Sequence, residues 1–255
     1  MKKSYIYSTV LFISLLILWE VIVHVKKISP LLLPAPTTIA EKLFTLLLSG
    51  YFTPHIFTTL FEIISGFFAG VLIGIGLGLL VAQSDTLRLV LKPYIIATQA
   101  MPKVALAPLL ILWFGYGYTP KILIVALISF FPLFESTLTG LLVVDKDRLM
   151  LFQLMKASKW QTLWRLQLPT AVPYLISGMR VAIVLSVVGA VVSEFIGANE
   201  GLGALIIVAQ GMMDTPLLFS AFILLTAIGI LLYASIYAIE FLFFKKYTSY
   251  RRKKS

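Results

Sequence analysis

Six mainly apolar stretches recur along the chain, at about 5 to 25, 57 to 82, 93 to 114, 121 to 143, 173 to 196 and 218 to 243. Each is near the roughly 20 residues that a helix needs to cross a bilayer's hydrocarbon. The pattern predicts an all-α membrane protein of about six transmembrane helices. It reads as a single transmembrane domain over 1–255, with its core at 57–243 and its longest inner loop at 145–169. A shorter apolar run at 202–213, bracketed by Gly197, Gly201, Gly203 and Gly211, is too short to span. It reads either as a re-entrant or interfacial segment buried by protein, or as an ordinary outer loop. Between the first two spans, the prolines of Leu33-Pro34-Ala35-Pro36 stop one helix. Thr37 and Thr38 then stand as a cap-like pair before a short amphipathic helix through Ala40 to Leu48.

Composition agrees with a lipid solvent. Hydrophobic residues make up 60% of the chain and charged residues 13%, too few to cover a soluble globule of 255 residues. The net charge of +10 arises from 21 basic residues in short clusters beside apolar runs. No basic-aromatic groove module accompanies them, so nucleic acid is not an expected partner. With an even number of spans, fifteen Lys and Arg fall on the side of the termini and four, Lys26, Lys27, Lys42 and Lys121, on the other. Lys103 and Arg180 fall near or within spans. The positive-inside rule then places both termini in the cytoplasm. The first apolar run ends in Lys26-Lys27 instead of a small-residue cleavage site, which predicts an uncleaved first span.

Catalytic chemistry finds little support. The chain has no cysteine, its two histidines His24 and His55 are isolated, and no HExxH or GxSxG arrangement occurs. No metal site, cofactor or enzymatic activity is expected of this chain. It also lacks GxxxxGK[ST], which argues against ATP hydrolysis by this chain itself. An ion-coupled secondary transporter remains a rival reading, although the internal repeat with paired broken helices that such folds show is not visible.

Within the spans, Gly66, Gly70, Gly74 and Gly78 share one helical face. They mark either close packing, inside the core or across a homodimer, or glycines tolerated against lipid. Pro102, Pro108 and Pro132 each remove a backbone hydrogen bond and predict kinks or breaks. Ionisable groups in spans are costly and therefore functional candidates. Glu20 and Glu240 lie near interfaces, Glu62 nearer the outer face, and Arg180 within reach of cytoplasmic phosphates. Glu135 and Glu194, with the neutral Gln99, are candidates for a translocation pathway; both carboxylates also read as satisfied structural acceptors. A pathway lined by carboxylates and lacking a deep basic residue would repel an anion and suit a neutral or cationic heteroaromatic solute.

The inner stretch from Asp145 to Pro173 reads as helix up to Pro169. Leu149, Phe152, Met155, Lys159, Leu163 and Leu166 recur every three or four residues, with Trp160 and Trp164 extending the stripe. Two tryptophans on an inner helix need a cover. The interfacial membrane and the groove of a cytoplasmic partner both qualify.

The run Ala157-Ser158-Lys159-Trp160-Gln161-Thr162-Leu163, followed by Leu166-Gln167-Leu168-Pro169 and Pro173-Tyr174-Leu175-Ile176-Ser177-Gly178-Met179-Arg180, resembles the ATPase-docking loop of bacterial ABC importer permeases. The likeness extends through Leu18-Trp19-Glu20, Leu33-Pro34-Ala35-Pro36, Pro102-Lys103-Val104-Ala105-Leu106-Ala107-Pro108, Leu112-Trp113-Phe114-Gly115, Phe130-Phe131-Pro132, Ser193-Glu194-Phe195-Ile196-Gly197 and Gly201-Leu202-Gly203. Together these resemble the nitrate, sulfonate and taurine type of permease, a family that includes uptake systems for thiamine pyrimidine precursors and riboflavin. Met213-Asp214-Thr215-Pro216-Leu217-Leu218-Phe219 is similar to the pyrimidine-precursor and riboflavin branch.

The resemblance implies a type I importer fold in a bacterial inner membrane. It further implies a permease homodimer, a separate ABC ATPase that uses ATP, and an extracytoplasmic solute-binding protein. Docking would fall to Lys156, Ala157, Ser158, Lys159, Trp160, Leu163, Trp164, Leu168 and Pro169. The solute implied is a thiamine-related pyrimidine, with nitrate, sulfonate or taurine as the alternative. Two positions depart from the family. Its loop has Glu-Ala-Ala, three residues and Gly before the residue matching Ala157, whereas this chain has Met150-Leu151-Phe152 and then Lys156.

Overall fold

The computed structural model describes residues 2–244, without the side chains at 2–5, 92, 96, 99, 243 and 244. The six basic residues after Phe244, which entered the count of inner charges, lie outside the described residues. Every regular element among the described residues is helical. Five helical segments are long and apolar enough to cross a membrane: Ile6–Val25, Thr53–Ala82, Tyr118–Leu142, Lys159–Glu194 and Thr215–Leu242.

The remaining candidate span, 93–114, is not one helix. It is divided into α4 (Asp85–Ala100), a 3-10 turn (Lys103–Leu106) and α5 (Ala107–Phe114). Pro102 lacks the N–H that would continue α4, and Met101 before it is extended, at φ −68° and ψ 130°. Pro108 sits in the first turn of α5, where a missing N–H costs nothing. Pro132, by contrast, is carried inside an unbroken α6 (Tyr118–Leu142).

The chain forms two compact units, Met1–Thr59 with Ala198–Ala227, and Leu60–Gly197 with Ile228–Ser255. In the first, α1 (Lys2–Val25) is joined to α2 (Pro36–Leu48) by a carboxylate. Glu20 of α1 accepts from the Thr37 N–H at 3.1 Å and from Thr37 Oγ1 at 2.7 Å. The expected Thr cap is thus replaced by a cap from the neighbouring helix, with Pro36 opening α2. The 202–213 run forms α10 (Leu202–Gly211), with six of its ten residues buried. Its N-terminal turn is held to α3 (Thr53–Ala82), where Thr59 Oγ1 accepts from the Leu202 N–H at 2.8 Å. Asp214 ends this segment with two roles. Its Oδ1 accepts from the Leu217 N–H at 3.0 Å to cap α11 (Thr215–Ile239), and its Oδ2 takes Lys42 Nζ at 2.7 Å.

In the second unit, the four-residue glycine ridge of α3 packs on α6. A Cβ added at Gly74 would stand 2.8 Å from the Phe130 carbonyl oxygen, and one at Gly78 would stand 2.7 Å from Thr137 Cβ. Gly66 and Gly70 meet Val125 and Ser129 in the same way. The ridge is therefore an internal seam, where small residues let two backbones approach. Helix α6 packs in turn on α9 (Leu168–Glu194), and a Cβ at Gly178 would stand 3.1 Å from the Pro132 carbonyl oxygen. Hydroxyls along the seam satisfy themselves locally, Ser129 on the Val125 carbonyl at 2.8 Å and Thr137 on that of Leu133 at 2.6 Å.

Lys121, counted as an outer charge at the start of its span, is drawn inward. It is buried in the first turn of α6, with Nζ 2.7 Å from Glu62 Oε1. Helix α6 begins three residues before the expected boundary, so the cation lies inside the helix. Arg180 and Glu240, expected to reach interfaces separately, pair with each other, and the Arg180 guanidinium lies 5.2 Å from the Tyr237 ring centroid.

Candidate functional site

The inner loop departs from the single helix expected of it. Helix α7 (Lys146–Leu154) starts at Asp145, whose side chain accepts from the Asp147 N–H, and stops at Met155. The stop is a Schellman turn: the Lys156 N–H reaches the Gln153 carbonyl at 2.9 Å and the Ala157 N–H reaches that of Phe152 at 3.0 Å. Lys156 therefore occupies the left-handed region at φ 54°, at the position where the family resemblance implied glycine. The chain adopts the glycine's conformation with a lysine in its place.

A new helix starts at once. Ser158 and Gln161 form a reciprocal capping box, with Gln161 Oε1 2.8 Å from the Ser158 N–H, and α8 (Lys159–Thr162) follows. The sequence Met155-Lys156-Ala157-Ser158 thus holds one helix end and one helix start, which periodicity alone reads as continuous. Helix α8 then runs through a π-helical turn, Leu163–Gln167, into α9, giving 36 helical residues from Lys159 to Glu194. At 1.5 Å per residue that is roughly 54 Å, well beyond the hydrocarbon's roughly 30 Å. Its first turns must stand clear of the membrane core.

The loop's side chains sort by burial. Leu163 is buried with Leu141 and Ala171 and contributes to the core instead of an outward face. Leu166 is also buried, and Leu168 and Pro169 are half-buried. Met155, Lys156 and Lys159 are exposed, Ala157 is half-buried, and Ser158 is committed to its cap. Trp160 and Trp164 are 66% and 55% exposed, their rings 5.4 Å apart and edge to face. Outward apolar surface at this turn is carried by those two rings and Met155, with Met150, Leu151 and Leu154 exposed on α7.

Among the intramembrane candidates, Glu135 lines a cavity of about 520 Å³ with Lys103, Ile128, Phe131, Ser136 and Val181. Lys103 Nζ sits 5.1 Å from the Phe131 ring centroid. Neither Lys103 nor Glu135 forms an ion pair or hydrogen bond among the described residues. Glu135 was expected among carboxylates without a deep basic residue, and the break at Pro102 places Lys103 in the same cavity. The chemistry of the site is mixed, and charge alone does not exclude anions. Phe131 was legible only as a member of a family motif, and Lys103 as that and as a charge near a span. Glu194 is placed elsewhere, fully buried and interacting with Glu62, the partner of Lys121. Gln99 lies on α4, and its side chain falls outside the described ones.

Five helices long and apolar enough to cross a membrane are those of a multi-pass membrane protein. The family model described as binding-protein-dependent transport system inner membrane component matches residues 70–249, and the chain belongs to that family. It is 36% identical over 242 residues to the formylaminopyrimidine transport permease protein ThiX of Halalkalibacterium halodurans, covering 94% of this chain and 96% of the relative. It is 36% identical over 219 residues to the riboflavin transport system permease protein RibX of Chloroflexus aurantiacus, covering 86% and 82%. The fold matches the inward-facing MetNI methionine ABC transporter at a TM-score of 0.64, with 18% identity over 72% of this chain and 92% of that one. The protein is a permease subunit of an ABC importer, and ATPase activity in such systems resides on a separate subunit.

Proposed function

We propose that this permease imports a pyrimidine-type or flavin-type heteroaromatic solute. The observation that carries this reading is the 36% identity to a formylaminopyrimidine permease over 94% of the chain. The mixed cavity at Glu135 and Lys103 supports it, since a heterocycle bearing both donors and acceptors satisfies both groups. Taurine or another sulfonate is the second reading, favoured by Lys103, which offers such an anion a cation. Uptake of labelled formylaminopyrimidine and of taurine by a transporter-deficient strain carrying the complete system separates the two. Formylaminopyrimidine uptake is expected, and taurine uptake alone would overturn the reading.

In the same proposal, the chain acts as one permease domain with both termini in the cytoplasm, and two copies form the pathway. An extracytoplasmic binding protein delivers the solute, and two ATPase subunits that consume ATP grip the 145–169 segments. Lys156, Ala157, Ser158, Lys159, Leu163, Leu168 and Pro169 shape the docking turn, while Trp160 and Trp164 make the apolar contact. Because α8 and α9 form one helical segment, a push at Trp164 travels along it to Val181, 17 residues on and roughly 25 Å away. Val181 lines the Glu135 cavity. The π-helical turn at Leu163–Gln167 sits at the base of this lever, where such turns mark hinges.

A further inference from the structure

Glu135 lies seventeen residues into α6, inside a membrane-spanning segment, and is exposed on the surface of the chain. A carboxylate facing hydrocarbon costs several kcal/mol, of order 2.5 to 3.5 on insertion scales, so it needs water or a polar partner. None of the described side chains supplies one, and the same is true of Lys103 and of the Ser136 hydroxyl, all three lining one cavity. Between them the walls are apolar, from Ile128, Val181 and the Phe131 ring. The volume of about 520 Å³ falls among those of small-molecule sites, which combine apolar walls with a few converging polar groups.

These groups also restrict the chemistry. A ligand satisfying both charges presents a donor to Glu135 and an acceptor to Lys103, with a flat apolar body between. A phosphate satisfies Lys103 and leaves its remaining charge against Glu135, whereas zwitterionic taurine meets both charges, its sulfonate on Lys103 and its ammonium on Glu135, but has no flat face for the Phe131 ring. An aliphatic amine satisfies Glu135 alone and leaves the Phe131 face without a matching surface.

Building on the importer reading above, we propose that this cavity is a solute-contact site of the pathway for an amino-substituted planar heterocycle. Glu135 accepts from its exocyclic amine, Lys103 donates to a ring nitrogen or carbonyl oxygen, and Phe131 packs against the ring. Binding is transient by design of such a path, since a solute held tightly would not leave.

The absence of cysteine makes the test direct. In proteoliposomes holding the complete transporter, Ser136→Cys makes position 136 the sole thiol in the 28.3 kDa permease band. A hydrophilic maleimide is expected to label it, formylaminopyrimidine at millimolar concentration to slow labelling, and taurine, which has no ring for Phe131, to slow it far less at the same concentration. Adding Glu135→Ala is expected to raise the half-protecting concentration about tenfold, as loss of one hydrogen bond to a charged group implies. Val181→Cys provides the same readout if Ser136→Cys does not assemble. Labelling that neither compound slows, or that taurine slows equally, would overturn the ligand assignment and leave the importer reading standing. No labelling at either position would overturn the cavity's place on the pathway. Failure of the unsubstituted transporter to take up formylaminopyrimidine would instead sink the solute reading on which the proposal rests.

Discussion

Lys121 Nζ stands 2.7 Å from Glu62 Oε1, with both residues buried between helices of the second unit and Glu194 beside them. This pair sets the most demanding local electrostatic requirement of the fold, because the apolar surroundings make an unmatched charge expensive. Lys121→Met leaves two carboxylates together without their cation, and Glu62→Leu removes the carboxylate that Lys121 pairs with. Each is expected to destabilise the permease by about 3 to 5 kcal/mol. The double variant is expected to recover much of the loss, because neither member of the pair then remains unmatched. Thermal unfolding of the purified permease in detergent reads all three. Additive losses in the double variant would contradict the pairing.

The glycine seam predicts a contrast between neighbours on one helix. Gly74→Val drives a side chain into the Phe130 backbone and Leu133, and an overpacking cost of about 1 to 3 kcal/mol is expected. At Gly76 an added Cβ meets nothing within 4 Å, so Gly76→Ala is expected to be neutral or to stabilise by up to about 1 kcal/mol. Expression level and melting temperature of the two variants check the contrast, and equal losses would refute the packing assignment.

Lys156 pays a conformational penalty for its left-handed backbone, of about 1 to 2 kcal/mol for a residue with a Cβ. Lys156→Gly is therefore expected to tighten the turn between α7 and α8 and to slow proteolysis there. The gain is smaller than the penalty, because glycine loses more freedom on folding. Faster cleavage at 155–158 in the variant would show that the lysine side chain makes a contribution beyond its backbone.

Trp160 and Trp164 are the exposed aromatic pair of the proposed docking turn. Their joint replacement by Ala is expected to abolish copurification of the ATPase while leaving membrane insertion and monomer stability unchanged, since neither ring is in the core. Undiminished assembly and transport would assign the tryptophans to the lipid surface instead.

How much of this was legible in the sequence follows from the range of each interaction. Hydropathy located the five long apolar helices, and glycine spacing identified the face of α3 that meets α6, because both signals repeat within one element. Pro102 announced the break in the third apolar stretch. The pairs Glu20 with Thr37, Lys42 with Asp214, and Lys121 with Glu62 join residues from 17 to 172 positions apart. No local period encodes them, so Glu20 read as an interfacial residue and Lys121 as an outer charge at the start of its span. The loop shows the opposite failure. The apolar spacing from Leu149 to Leu166 continues through the turn, while the stop and start are written in Lys156, Ser158 and Gln161, whose capping roles the periodicity obscured. Lys103 was counted as near a span, and only the break after α4 reveals that it shares a cavity with Glu135.

Reconstitution decides whether this chain moves its solute as the membrane part of an ATP-driven importer. Proteoliposomes containing the permease, its ATPase and its binding protein are loaded with ATP on the ATPase side, and labelled formylaminopyrimidine uptake is followed without any ion gradient. ATP-dependent accumulation that ceases when the ATPase is omitted is the predicted result. Accumulation driven by an ion gradient in the absence of the ATPase would contradict the account.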